Sequence, residues 1–253
     1  MPEEIRTPEA TVEMSWSDKF VSILSSPSEA YQQIVSSEPK SSNWGLPAVG
    51  TLLMMVLFMF VVFNQAPIQD QMHDNQLKAM QKQVADGQMT QEQMERAVEF
   101  MPKPGSPMWM IFGSVMMVLV VFASLFGFSL VYWVIGKLAF KSTAPYMKIC
   151  EVYGLGMFIM AVSSLIGMVF VVAMESIYAG ANLTLFIGEV DPLNKTHMFL
   201  NSVNLFTLWQ YAVVGIGLSK LWSVSTGKGI SVSLGVWLVW TVVLNYGGML
   251  IGR

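Results

Sequence analysis

Residues 136–153 read GKLAFKSTAPYMKICEVY. They separate a pair of long apolar runs with Lys137, Lys141 and Lys148, and no acid occurs before Glu151. A short basic break between runs of membrane-crossing length reads as a turn between two membrane helices. The composition agrees, since 53% of the 253 residues are hydrophobic and only 12% are charged. A soluble domain carries roughly 25% charged residues, and its core cannot absorb this much apolar surface. The expected class is therefore all-α, a polytopic membrane protein with five transmembrane helices.

Outward from the turn, the upstream run 108–135 would be about 42 Å long as a helix, so it must tilt or project beyond the bilayer. The downstream run is 152–174. Further spans are predicted at 45–63, 205–221 and 230–251, while the apolar stretch 181–188 is too short to cross. Trp44, Trp109, Trp222 and Tyr246 lie near run ends, where amphipathic rings favour the headgroup zone. Pro47 is expected in the first turn of its span, where its missing N–H costs little.

The flanking regions are polar. Residues 1–13 are expected to be disordered and 14–44 to form amphipathic helices, either on the membrane surface or docked on the bundle. Trp16, Phe20, Ile23 and Leu24 make one stripe. Ser26-Pro27-Ser28-Glu29 reads as a capping box that opens a second helix, with Ala30, Tyr31, Ile34 and Val35 as its buried face. Between the first two spans, 68–101 reads as a helical hairpin, with a turn at Asp86-Gly87, a capping box at Thr90 to Gln93, and a stop at Pro102, Pro104 and Pro107. No cleavable signal peptide is expected, because no basic segment leads into a short apolar core.

Short-loop charges set the predicted orientation. Lys137, Lys141 and Lys148 follow the second span, and Lys220 and Lys228 follow the fourth, whereas the loop after the third has Lys195 alone. The first loop has Lys78, Lys82, Arg96 and Lys103, but it is long and holds six acids. The N-terminus and both basic turns are thus expected in the cytoplasm, with the hairpin and the C-terminus opposite. Lys137, Lys141 and Lys148 are read as topology anchors that meet anionic lipid headgroups.

Several local patterns share an order and spacing that resemble the Yip (Ypt-interacting protein) family, in its bacterial-type branch. They are Ser26-Pro27 with Tyr31 and Ile34, Asn43-Trp44-x-x-Pro47, Lys141 and Tyr146 before the third span, and Asn204-Leu205-Phe206-x-x-Trp209 followed by Gly215-x-Gly217-Leu218. The resemblance runs over about residues 15 to 251 and implies a five-span helical domain with a cytoplasmic N-terminus in a bacterial inner membrane. Eukaryotic members are linked to Rab-type GTPases, but the chain lacks the Asp-Leu-Tyr-Gly-Pro motif of those relatives, so Rab binding is not carried over.

No constellation points to catalysis, a cofactor or a metal. A net charge of −3 with no basic cluster argues against nucleic-acid binding. Apart from Lys220 at the end of 205–221, the spans as drawn contain no ionisable residue, which argues against a pump. Gln210, Asn245, Ser124, Ser129, Ser163 and Ser164 either bond between helices or line a polar path. Ala123/Gly127, Ser163/Gly167 and Gly248/Gly252 have the spacing for close helix approach. The hairpin methionines beside His73 fit a helical stripe better than a copper site. Cys150 reads as a small, partly buried side chain, with acylation as the alternative. Asn182 and Asn194 open glycosylation sequons that matter only in a eukaryote. The expected function is a non-enzymatic scaffold or membrane-organising protein. Its partners would be lipids and a membrane protein or a second copy. A channel or facilitator for a small solute or lipid, and an accessory subunit of a larger complex, are the alternatives.

Overall fold

The computed structural model describes residues 14–251, with side chains to residue 247. The expected disorder of 1–13 and the Gly248/Gly252 pair lie outside the described residues. Ten helices follow in order: α1 (Trp16–Ser25), α2 (Pro27–Ser36), α3 (Ser42–Val62), α4 (Ala66–Ala85), α5 (Gln91–Phe100), α6 (Pro107–Phe140), α7 (Tyr146–Met174), α8 (Lys195–Ser202), α9 (Leu205–Trp222) and α10 (Thr226–Ile251). A 3-10 turn at Leu183–Phe186 precedes α8.

Four helical stretches, Ser42–Val62, Pro107–Phe140, Tyr146–Met174 and Thr226–Gly247, are long and apolar enough to cross a membrane. Their exposed Leu53, Phe60, Phe112, Leu119, Val169, Val239 and Leu244 would be untenable in water but suit a lipid-facing surface. The protein is an integral, multi-pass membrane protein. The five-span expectation is corrected on this criterion, because α9 is not among the four. Gln210 and Lys220 dilute its apolarity, and they are tolerated because α9 is shielded by neighbours. Gln210, Tyr211, Val213, Val214, Gly215, Gly217, Leu218, Ser219 and Trp222 are all buried.

The basic break is shorter than it reads. Lys137 lies in the last turn of α6, and Lys141 closes that helix in the left-handed region at φ 52°. The next helix starts at Tyr146 behind Pro145, so only 141–145 is non-helical. The third membrane helix thus includes Lys148 and Glu151, which correct the expectation of spans free of ionisable residues. The first span also starts earlier, at Ser42. Pro47 then falls beyond the first turn and leaves the Asn43 carbonyl without its intrahelical partner.

The N-terminal helices dock on the bundle. Ile23, Ala30, Tyr31 and Ile34 join its main core. The capping box at Ser26 is not formed, since Ser26 also terminates α1 at φ −140°, ψ 57° and caps α2 with no side-chain bond. A capping box appears instead at Ser15, whose hydroxyl accepts from Asp18 N–H while the Asp18 carboxylate accepts from Ser15 N–H. The predicted hairpin is present as α4 and α5, with Thr90 and Gln93 exchanging the expected bonds. It is sparsely anchored: Ile68 is the buried residue of α4, α5 has none, and Phe100 is 81% exposed.

Close crossings bind the helices, though not at the expected small-residue pairs. A Cβ at Gly127 would meet nothing within 4 Å, and one at Gly167 would make only ordinary contact with Phe58. The tight approaches are elsewhere. A Cβ at Gly154 would lie 2.5 Å from the Cα of Trp44, and one at Gly215 would lie 2.5 Å from the Cα of Ile230. Only glycine lets α7 cross α3, and α9 cross α10, at these distances.

Candidate functional site

Two features could support function, and they lie at opposite ends of the bundle. The first is a buried polar network where α1 and α2 meet the starts of α3 and α7. Glu151 is fully buried and Lys148 is 4% exposed; Lys148 Nζ donates to Glu151 Oε2 at 2.9 Å. Burying two charges costs several kcal/mol each in desolvation unless every polar atom finds a partner. Here the partners are supplied. Lys148 Nζ also donates to the carbonyl of Ile34 (2.8 Å), the carbonyl of Glu38 (3.2 Å) and the hydroxyl of Ser37 (3.4 Å). These oxygens are at and just past the C-terminus of α2, where a cation is favoured by the helix dipole.

The carboxylate is also held from α3 and from the segment that leads into it. The Lys40 backbone N–H donates to Glu151 Oε1, and Asn43 Nδ2 donates to Oε2 at 3.2 Å. The Asn43 amide oxygen in turn accepts from the buried Lys19 Nζ of α1 at 2.9 Å. One carboxylate therefore joins α1, α2, α3 and α7. Beside it, Tyr31 of α2 donates to the Val152 carbonyl at 2.8 Å. Complete burial pushes the Tyr31 phenol far above its ordinary range, which keeps it a donor.

The second feature is a cavity of about 470 Å³ at the hairpin end, between the end of α3, the start of α6 and the end of α7. Phe58, Met59, Trp109, Met117, Ser163 and Gly167 line its walls, with Ile177, Ala179, Gly180, Ala181, Asn182 and Asn204 at the loop end. The 181–183 and 203–205 segments pair through Leu183 N–H to Val203 carbonyl (3.2 Å) and Leu205 N–H to Ala181 carbonyl (2.8 Å). Hairpin and loop are tied at the same end, since Ile177 N–H donates to Gln71 and Asn75 Nδ2 to Tyr178 Oη, at 2.8 and 2.9 Å.

The expected anchors separate into two groups. Lys137 and Lys141 are exposed, with Lys137 5.3 Å from the Trp133 ring, but Lys148 is turned inward and cannot reach a headgroup. The residues quoted for the resemblance sit at joints. Pro27 is the first residue of α2. Trp44 is at the α3–α7 crossing, 5.3 Å from the Phe126 ring, rather than at an interface, and its indole nitrogen is buried without a partner. Tyr146 donates to the Phe126 carbonyl at 2.9 Å, tying α7 to α6. Asn204 caps α9, accepting from Phe206 and Thr207 N–H, and Trp209 packs partly buried near Phe206. Gly217 admits Val152 and the Tyr31 ring. Trp222, also expected at an interface, is buried against Gly136 and Phe140.

The polar residues weighed as a path are dispersed. Asn245 Nδ2 donates to the Thr241 carbonyl of its own helix at 2.8 Å, Ser164 donates to Met160, and Gln210 is buried away from the cavity lining. Cys150 is fully buried, so it presents no thiol for acylation. Asn182 is 8% exposed and its amide donates to Asn201 and Tyr178, which leaves it unfit as a glycan acceptor.

A helical bundle with an outward apolar surface, a charge network sealed at one end and an apolar cavity at the other defines a polytopic integral membrane protein. The chain belongs to the Yip1 family: the model of the Yip1 domain matches residues 21–246. Comparison with curated proteins and with solved structures gives no match.

Proposed function

We propose that this Yip1-family protein is a non-enzymatic, membrane-organising scaffold whose rigid N-terminal face recruits another membrane protein. The observation that carries the reading is the network around Glu151. It locks α1 and α2 to the membrane helices and makes one body of the aqueous face and the bundle. A facilitator is disfavoured, because the described cavity has mainly apolar walls and, of the residues weighed as a path, Ser163 and Ser164 line it but Gln210 and Asn245 do not.

The proposed orientation puts the N-terminus and the 141–145 turn in the cytoplasm of a bacterium and the hairpin across its inner membrane. Four long apolar helices, with a shorter, shielded α9 running between their ends, support this reading. The start of α9 pairs with the loop after α7, and its end meets the end of α6, where Ser142 donates to the Leu221 carbonyl at 3.3 Å. The exposed Lys137 and Lys141 then meet the cytoplasmic surface.

Reporters after Gly87 and Lys141 test the orientation, and a cytoplasmic residue 87 overturns it. For function, wild type and Glu151→Gln are to be purified from native membranes in mild detergent. The scaffold reading expects a defined membrane protein with wild type and its loss with the variant. Solute flux in proteoliposomes, with identical copurifying sets for the two proteins, rejects it.

A further inference from the structure

The cavity at the hairpin end carries an inference beyond scaffolding. We propose that it is a binding site for one acyl chain of a membrane diacyl phospholipid, with the amide of Asn204 donating to the ester carbonyl at the head of that chain.

Three observations support this occupant. The first is access. In the half of α6 from Pro107 to Val120 no residue is buried, and from Met160 to Met174 of α7 only Val171 is. Both half-helices nevertheless line the cavity through Gly113, Met117, Ser163 and Gly167. They stand apart across it, and the residues beside these, Phe112, Met116 and Ile166, are exposed apolar side chains on the lipid-facing surface. The second is chemistry. Apart from Ser163 and Ser164, the walls are mainly Phe, Met, Val and Trp, whose contacts are forfeited over any void, and hydrocarbon is the solvent at this depth. A volume of about 470 Å³ falls among those of small-ligand sites, which combine apolar walls with a few placed polar groups.

The third is an uncommitted amide donor at one end. Asn204 commits its carbonyl oxygen to the N-terminus of α9, while its Nδ2, which lies beside Gly180 at the closed end, has no acceptor among the described residues. A neutral donor at the loop end with mainly apolar walls running inward matches the order of ester and chain in a lipid. No Lys or Arg lines the cavity, so a free fatty acid would bring a carboxylate with no counter-charge.

The test uses the full-length protein in lipid nanodiscs that carry a trace of phosphatidylethanolamine with a diazirine at mid-chain. After irradiation, adducts are mapped by mass spectrometry. The proposal expects adducts on Met59, Met117 and the 163–167 segment. Gly167→Leu fills the cavity and should lower them at least five-fold, with adducts on the outward Phe112 and Val169 unchanged and Gly167→Ala like wild type. Ser163→Leu serves the same end if Gly167→Leu does not fold. Asn204→Asp keeps the oxygen that caps α9 but loses the donor, and should lower the adducts several-fold. Lining adducts insensitive to the filled variant overturn the site, as does labelling of the outward faces alone. Labelling of the lining by a diazirine palmitate but not by the phospholipid overturns the occupant. Unchanged labelling in Asn204→Asp overturns the ester contact.

Discussion

One helix shows the contrast between the two ends of this molecule. Along α7, every residue from Lys148 to Ile159 except Phe158 is buried, whereas from Met160 to Met174 only Val171 is. The first half is wrapped by α1, α2, α3, α6 and α9 and carries the Lys148–Glu151 pair. The second faces lipid and an apolar cavity. The difference teaches where this fold can hold charge. At this end the C-terminus of α2 brings carbonyls, and the segment from Lys40 to Asn43 brings a backbone N–H and an amide, to satisfy a buried pair. Past the midpoint no second layer of helices covers α7, and apart from Ser163 and Ser164 its side chains are apolar up to Met174.

The largest expected effect comes from breaking the pair. Lys148→Met strands a buried carboxylate and Glu151→Leu strands a buried ammonium, and each should cost about 3–5 kcal/mol. The double variant should recover most of that loss, because the partnerless charge is gone. At the other end, Glu92 and Arg96 form an ion pair on the hairpin with side chains 74% and 72% exposed. Glu92→Ala should change stability by less than about 0.5 kcal/mol. Thermal unfolding in one detergent compares them, and equal losses at the two ends would break the contrast.

Next in size is packing. Gly154→Ala drives a methyl onto the Trp44 backbone, which cannot yield as a side-chain tip can, and should cost about 1–3 kcal/mol. Gly167→Ala places its methyl in ordinary contact with Phe58 and should stay within about 0.5 kcal/mol of wild type. The same melting series checks both.

These sites also mark how far the sequence could be read. Long apolar runs, the hairpin and the cap at Thr90 were legible because each is a local pattern with a period or a fixed offset. Lys148 and Glu151 were not, because a hydropathy boundary at Val152 put them outside a helix that physically begins behind Pro145. A lysine near a span also looks the same whether it meets lipid or a folded-back helix, and only the docking of α2 decides. The small-residue pairs failed for a related reason: spacing shows which residues share a face, not which face meets a neighbour. The glycines at Gly215 and Gly217, quoted for the resemblance, were better guides. The weak hydropathy of α9 is legible afterwards as the tolerated polarity of a central helix, but only its neighbours reveal that it is central.

A smaller effect tests whether the N-terminal helices are held by more than the ion pair. Tyr31→Phe removes the bond to the Val152 carbonyl and leaves the ring packed on Gly217. The Val152 carbonyl keeps its helical bond, so the loss should cost about 0.5–1.5 kcal/mol, and protease accessibility of α1 and α2 should rise with it. A loss of stability with no rise in cleavage would mean that the pair alone holds the helices.

The smallest effects use a strain that both ends share. Lys141 closes α6 at φ 52° and Glu175 closes α7 at φ 51°, both in the left-handed region, which costs a side chain about 1–2 kcal/mol. Glycine relieves this and returns about 0.4–1 kcal/mol to the unfolded chain as entropy. The charges then separate the two sites. A helix C-terminus favours the lysine and disfavours the glutamate by about 0.3–1 kcal/mol each. Lys141→Gly trades a good charge for relief and should come out near zero, whereas Glu175→Gly gains on both counts and should stabilise by about 1 kcal/mol. Because α7 is sparsely packed where it ends, that gain should appear first as slower amide exchange over residues 168–180. An equal rise in both variants would show that backbone strain outweighs the helix-end charge.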